Sequence, residues 1–200
     1  MEKKSKVKTS ELKAIIRCKW VSQDKIYQDY HDCEWGIPLH EDSKLFELLI
    51  LETFQAGLSW LTVLKKRENF RKAFNNFDAK KISGYKEEKI IQLMNNEGII
   101  RNKLKIGATI INAKAYLEIQ KEFGTFDKYI WQFTNYESII NAPSTIGELP
   151  TSTPLSDAMS KDLKKRGFKF TGTTICYAFM QASGMVNDHT RDCFRFNKQV

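Results

Sequence analysis

Histidine occurs three times in 200 residues, cysteine and proline four times each, and glycine ten times. Four cysteines could make two disulfides, but a chain of this length with 42% hydrophobic residues can bury a core without them. No apolar run reaches about eighteen residues without a charge interrupting it, which excludes a membrane-spanning helix. The opening MEKKSKVKTSELKA is basic, with neither an apolar centre nor a small-residue cleavage site, so it does not read as a secretion signal. No stretch alternates apolar and polar residues with β-branched side chains, as a half-buried strand would. The expectation is a cytoplasmic protein with no membrane partner.

Acidic residues number 24 against 32 lysines and arginines, a formal charge of +8. Such a surface favours polyanions through counterion release, although a basic balance alone does not identify one. The basic residues cluster in KKRENFRK (Lys65 to Lys72) and KDLKKRGFK (Lys161 to Lys169). Either run could equally be a solvated helix face.

What is present is helical periodicity. Apolar spacing predicts helices over Ser43–Ala56, Ser59–Phe74, Lys86–Met94, Asn102–Phe123, Phe126–Phe133, Ser156–Arg166 and Thr173–Ser183. Asn141 to Pro154 holds three of the four prolines and reads as a loop. The predicted class is all-α. Residues 1–14 are expected to be a flexible basic tail, 15–195 a single domain of two helical lobes around a cleft, and 196–200 a second tail.

Glu52 stands out within LILETFQAGLSW. On the predicted helix it joins Leu45, Leu48, Leu49 and Ala56 on one stripe, whereas Glu47 lies well off it. A carboxylate there is either paired with a cation or kept for a ligand. The sequence offers no cation between Glu52 and Lys65, which favours the ligand.

The cysteines and histidines form a second pattern. Cys18 and His31 are separated by twelve residues near the start, and His189 and Cys193 by three near the end. Spacing i, i+4 puts the latter two on one face of a helical turn. One Cys-His pair from each end would complete a tetrahedral structural zinc site, with Cys33 and His40 as competing ligands. Four protein ligands leave no open position for water, so such a metal would staple a flexible N-terminal segment onto the last helix. Cys176, within TTICYAFM, reads as a buried small hydrophobe.

That N-terminal segment carries Trp20, Tyr27, Tyr30 and Trp35 among polar residues, and Trp60 follows soon after Glu52. Aromatics in polar surroundings suit a pocket wall, and beside a carboxylate they suit a flat, electron-poor or cationic ligand. Farther on, Lys164 and Lys165 lead into a turn from Gly167 through Lys169 to Gly172, between two predicted helices. Glycines at a helix N-terminus let backbone N–H groups approach a phosphate, the logic of a helix-hairpin-helix DNA clamp.

Taken together, HDCEWG, LETFQAGLSWLTVLKKRENF, GIIRNKLKI, LKKRGFKFTGTTICYAFMQASGMVNDH and the terminal His189/Cys193 pair resemble the 3-methyladenine DNA glycosylase I family, from about Cys18 to Cys193. The resemblance implies a helix-hairpin-helix glycosylase bundle, with a structural zinc on Cys18, His31, His189 and Cys193 joining the N- and C-terminal segments. It implies a base pocket of Glu52, Tyr30 and Trp60 with Trp20, Tyr27 and Trp35 nearby, and Glu52 as the catalytic carboxylate. DNA would meet Lys164, Lys165, Gly167, Lys169 and Gly172. The implied reaction is hydrolytic release of 3-methyladenine from alkylated double-stranded DNA by a monomer, leaving an abasic site without strand cleavage. Thr53 and Phe54 replace small or polar residues of some relatives, which could reshape the pocket. The hairpin lacks the Gly-x-Gly of the wider superfamily. Asp188 is not taken as a catalyst, because this family is regarded as lacking the superfamily's essential aspartate. The rival class is a zinc-stapled DNA- or nucleotide-binding module without activity.

Overall fold

Asp24, Ser59, Asp78, Asn102, Thr125 and Thr153 each stand one residue before a helix and accept a hydrogen bond from an N–H in its first turn. These short polar side chains satisfy donors that a helix start leaves open, so the sequence itself sets where each helix begins. The computed structural model describes residues 15–196. Residues 1–14, read above as a tail, and 197–200 of the 196–200 tail lie outside the described residues.

Among the described residues the helices are α1 (Lys25–Cys33), α2 (Asp42–Gln55), α3 (Trp60–Ala73), α4 (Ala79–Ser83), α5 (Glu87–Met94), α6 (Lys103–Phe123), α7 (Phe126–Trp131), α8 (Pro154–Lys165) and α9 (Thr173–Ala182). The seven predicted helices are all there, with ends shifted by a few residues. Two more stand beside them. α4 is five residues long, too short to show a period. α1 replaces the flexible segment expected before Trp35, and its Asp24 cap is the sequence signal that marks it.

The chain is mostly helical, with one small addition. β1 (Ile139–Ile140) pairs in parallel with β2 (Val186–Asn187), in register Ile139 to Val186. Two residues are too few to leave an alternating pattern. The proline-bearing loop also ends earlier than expected, because Pro154 opens α8 behind a Thr153–Ser156 capping box. Proline fits that first position because its missing N–H would have no partner there.

α2 is the central helix, packed against α3, α6, α7 and α9. The single stripe predicted for it is therefore too narrow. Phe46, Ile50, Leu51 and Phe54 are buried along with Leu45 and Leu49, while Leu48 is only half-buried. A helix covered on nearly every side buries whatever it carries, Glu52 included. α8 and α9 pack together as an antiparallel pair joined by the turn at residues 166–172. After α9 the chain crosses the segment from Gly36 to Leu39, with Gly36 N–H donating to the Gln181 carbonyl and Leu39 N–H to the Ser183 carbonyl. Gly184 makes this crossing possible: its φ is +72°, and a Cβ there would lie 2.2 Å from the Ile37 carbonyl carbon.

Candidate base and metal site

Glu52 is 3% exposed and has no hydrogen bond or ion pair among the described residues. Burial alone pushes its carboxyl up to about 8. No cation offsets this, so the paired-carboxylate reading loses its basis. Burial and then the Glu52 charge raise the Tyr30 phenol well above its ordinary value, and the same two causes raise Tyr27. Tyr27 and Tyr30 are three apart on α1, hence on one face. Tyr30 packs on Trp60 with ring centroids 5.5 Å apart, tilted by 54°. The Trp60 Nε1 hydrogen is buried without an acceptor among the described residues. Thus the first residue of α3 brings an unused donor to the Tyr30 ring, whose phenol in turn feels the unpaired Glu52 carboxyl. Such groups are costly unless something fills them.

A cavity of about 340 Å³ opens beside the same pair, walled by Tyr30, Trp60, Leu48, Leu51, Arg67 and Arg71 among others. Glu52 does not line it, so this cavity adjoins the carboxylate site and is not that site. Its arginines are already engaged, Arg67 with Glu34 and Arg71 with Glu47.

The two chain ends meet as the spacing predicts. Cys18, His31, His189 and Cys193 are all buried, with one ligand atom from each within 4.8 Å of the others. Sulfur and imidazole nitrogen lie 3.5 Å apart for Cys18 and His189, 3.4 Å for Cys193 and His31, and 3.5 Å for Cys193 and His189. Around a tetrahedral ion with bonds of about 2.3 and 2.1 Å, a sulfur–nitrogen edge is about 3.6 Å. The donor set therefore fits a metal ion. Each histidine is also held through its other nitrogen: His31 Nδ1 hydrogen-bonds Asp32 at 2.8 Å, and His189 Nε2 donates to the Trp35 carbonyl at 3.1 Å. This outer support fixes which nitrogen faces the ligand position. The neighbouring Cys193 thiol, and then Thr190, lower Cys18 to about 7, while the nearness of Cys18 raises Cys193. Cys33 is exposed and outside the cluster, and His40 pairs with Asp127 elsewhere, so neither competitor takes part.

One expectation about this cluster is corrected. His189 and Cys193 do not lie on a helix, since α9 ends at Ala182 and residues 191–196 form consecutive turns. The cluster ties residues 18–31 to the chain beyond α9, and a turn with Cys193 N–H donating to the Thr190 carbonyl brings its sulfur round.

The aromatics link the two sites. Trp20 packs on Tyr27 at 5.0 Å, on Trp35 at 4.9 Å and on His31 at 5.3 Å, while Trp35 meets His189 edge-on at 4.6 Å. Trp20 and Trp35 thus stand between the cysteine-histidine cluster and the tyrosines near Glu52.

Lys164 and Lys165 end α8 exposed to solvent, and the α8–α9 turn adds exposed Lys169. A Cβ at Gly167 or Gly172 would meet nothing within 4 Å, so both glycines face open space. Phe170 is 40% exposed with φ at 58°. The turn is held from behind by Asn112 of α6, which accepts from Lys169 N–H at 2.7 Å and donates to its carbonyl at 3.1 Å. No sequence signal pointed to Asn112.

A sequence profile of the methyladenine glycosylases matches residues 20–196. The chain belongs to the methyladenine glycosylase family. It is 54% identical over 177 residues to DNA-3-methyladenine glycosylase 1 of Escherichia coli (strain K12), covering 88% of this chain and 95% of that protein. A crystal structure of a 3-methyladenine DNA glycosylase I matches with a TM-score of 0.88 at 52% identity, over 90% of this chain and 98% of that one. The Staphylococcus aureus 3-methyladenine DNA glycosylase I, solved for its recognition of 3-methyladenine, gives a TM-score of 0.89 at 35% identity, over 92% of this chain and 98% of that one.

Within this glycosylase family frame, Thr53 and Phe54 turn out to be core residues. The Thr53 hydroxyl donates to the Ile50 carbonyl, and Phe54 packs on Phe70 at 4.7 Å. Asp188 accepts from Asn141, the Tyr177 hydroxyl and Gln181, each at 2.7 Å, and is 1% exposed. With its oxygens occupied by three donors it is a structural anchor.

Proposed function

We propose that this protein is a monofunctional DNA glycosylase that releases 3-methyladenine from alkylated double-stranded DNA, acting as a cytoplasmic monomer. One observation carries the reading: a buried carboxyl with no partner among the described residues, beside Tyr27 and Tyr30, the latter packed on Trp60. Methylation at N3 makes adenine cationic and weakens its bond to the sugar, so the base leaves without a strong acid. The protein's task is to hold the flipped base. The rings of Tyr30 and Trp60 supply stacking and cation–π attraction, and Glu52, charged when the cation arrives, supplies the counter-charge. Trp60 Nε1–H offers a donor to the base edge. Normal adenine carries no charge and gains less from the same site. Water then attacks the sugar. The ammonium of Lys105, at the end of α2, is taken up by the Phe54 and Ala56 carbonyls, which supports a reading with no covalent intermediate and an intact strand. Zinc on Cys18, His31, His189 and Cys193 would supply folding free energy and steady Trp20 and Trp35 behind the tyrosines.

Incubating N-methylated duplex DNA with the protein is expected to liberate free 3-methyladenine and leave abasic sites that break only on later alkaline treatment. Binding without base release would overturn the enzyme reading in favour of a binding module.

The α8–α9 turn is assigned to the DNA backbone through Lys164, Lys165, Gly167, Lys169 and Gly172. Reversing the charge of Lys164 and Lys165 together is expected to weaken DNA binding. The slope of log affinity against log salt should shrink by roughly two, about 0.9 for each phosphate no longer neutralised. An unchanged slope would mean these lysines face away from DNA.

A further inference from the structure

Lys105 lies in the first turn of α6 and is only 6% exposed. That position is unfavourable twice over, because burial disfavours the ammonium and a helix start repels positive charge. Burial indeed lowers its pKa from the ordinary lysine value. The side chain has no carboxylate partner among the described residues. Its Nζ instead donates to the Phe54 carbonyl at 2.8 Å and the Ala56 carbonyl at 2.7 Å.

Those two carbonyls belong to the end of α2. The last turn of α2 has no basic residue of its own, and its C-cap Ala56 leaves the helical region at φ −45°, ψ 114° with no capping N–H. The four terminal carbonyls of a helix need partners from outside. Here α6 provides the cap. Only four residues (56–59) separate α2 from α3, so this turn sets the spacing between Glu52 and Trp60. Gly57 has φ +82° with open space where a Cβ would be. The other bonds of the turn are local, between Gln55 and Leu58 and from Ser59 to Thr62 at the start of α3, so Lys105 supplies its tie to α6. Lys105 is not a counter-ion for Glu52, whose shift comes from burial alone.

We propose that Lys105 is a positioning residue of the base site, whose ammonium caps α2 from α6 and holds the Gln55–Ser59 turn so that Glu52 and Trp60 face one base. The proposal rests on the reading of Glu52 and Trp60 as base ligands. A bond to a charged donor is short and directional, so it fixes the carbonyls better than water could. Loosening this turn would displace one ligand of the base relative to the other, and misplacements of about 1 Å can cost a hundredfold in rate.

The test compares Lys105→Met, which keeps the length of the stem and removes the donors, with Lys105→Arg, which keeps charge and donors. Single-turnover excision and free 3-methyladenine binding are measured per folded molecule, beside thermal unfolding. Lys105→Met is expected to lose about tenfold to a hundredfold in excision, with weaker base binding, and Lys105→Arg to recover most of it. A lowered melting temperature with excision and base affinity unchanged would overturn the proposal, because a merely structural lysine does that. If Lys105→Met does not fold, Lys105→Gln takes its place. Being shorter and neutral, the amide cannot serve both carbonyls, so excision should still fall, and wild-type excision would overturn the proposal. Glu52→Gln run alongside separates the two failures. Should it keep full base affinity, the base-site reading falls and this proposal with it. Should it lose affinity while Lys105→Met does not, only the role of Lys105 falls.

Discussion

Replacing Glu52 by glutamine is expected to lower affinity for the cationic base by about tenfold or more while leaving the protein at least as stable at neutral pH. The swap keeps size and removes charge. Burial pushes the Glu52 carboxyl up to about 8 from an ordinary 4.5. The unfolded chain therefore loses this proton first as pH rises. Between about pH 4.5 and 8 the unfolded state binds fewer protons than the folded one, so this group makes stability fall with rising pH, by up to roughly 1.4 kcal/mol per unit. By pH 7 the cost is on the order of 3 kcal/mol, and Glu52→Gln should remove it. A bound cation reverses the shift, so ligand and ionised carboxylate stabilise each other. Urea unfolding of both proteins across this range, with base affinity measured on the same samples, checks each half. Destabilisation by roughly 3–5 kcal/mol with base affinity intact would instead mark a broken buried pair and refute the pocket assignment.

Loss of the cysteine-histidine staple is the second large effect expected. Purified, reduced protein should contain one zinc per chain, and Cys18→Ala should lose it. The ion would close a loop from residue 18 to residue 193, restraining the unfolded chain over nearly its whole length. The helical core around α2 does not depend on it, so the loss should fall well short of the roughly 10–16 kcal/mol of an isolated zinc finger. A decrease on the order of 3–5 kcal/mol, about 10 °C in melting temperature, is the expected outcome. Because Trp20 and Trp35 pack on the two imidazoles, tryptophan fluorescence should change with the metal. Cys33→Ala should keep both metal and stability, since that side chain is exposed and apart from the cluster. Absence of zinc from reduced, undamaged protein, or an unchanged melting point in Cys18→Ala, would count against the staple.

By itself the sequence determined what depends on neighbours along the chain or on residue chemistry. Caps and apolar periods marked seven helices, because capping and amphipathicity act within a few residues. The scarcity of histidine made the paired Cys-His spacing visible, and thiolate and imidazole are metal ligands wherever they meet. An isolated glutamate in an apolar run announced a group needing a partner. The tertiary structure alone decided what depends on which surfaces meet. α2 is buried nearly all round because four helices surround it, and no pattern within its own residues could say so. His189 reaches the cluster from the irregular stretch after β2 and Cys193 from a turn closed on Thr190, since i, i+4 spacing constrains sequence distance and leaves the backbone path open. β1 and β2 pair through two residues each that lie 47 positions apart, too few for a period. Lys105 and Asn112 were illegible for the same reason. Their partners are backbone carbonyls and an amide 49 to 57 residues away, and backbone groups are present at every position, so only the fold selects which of them a side chain meets.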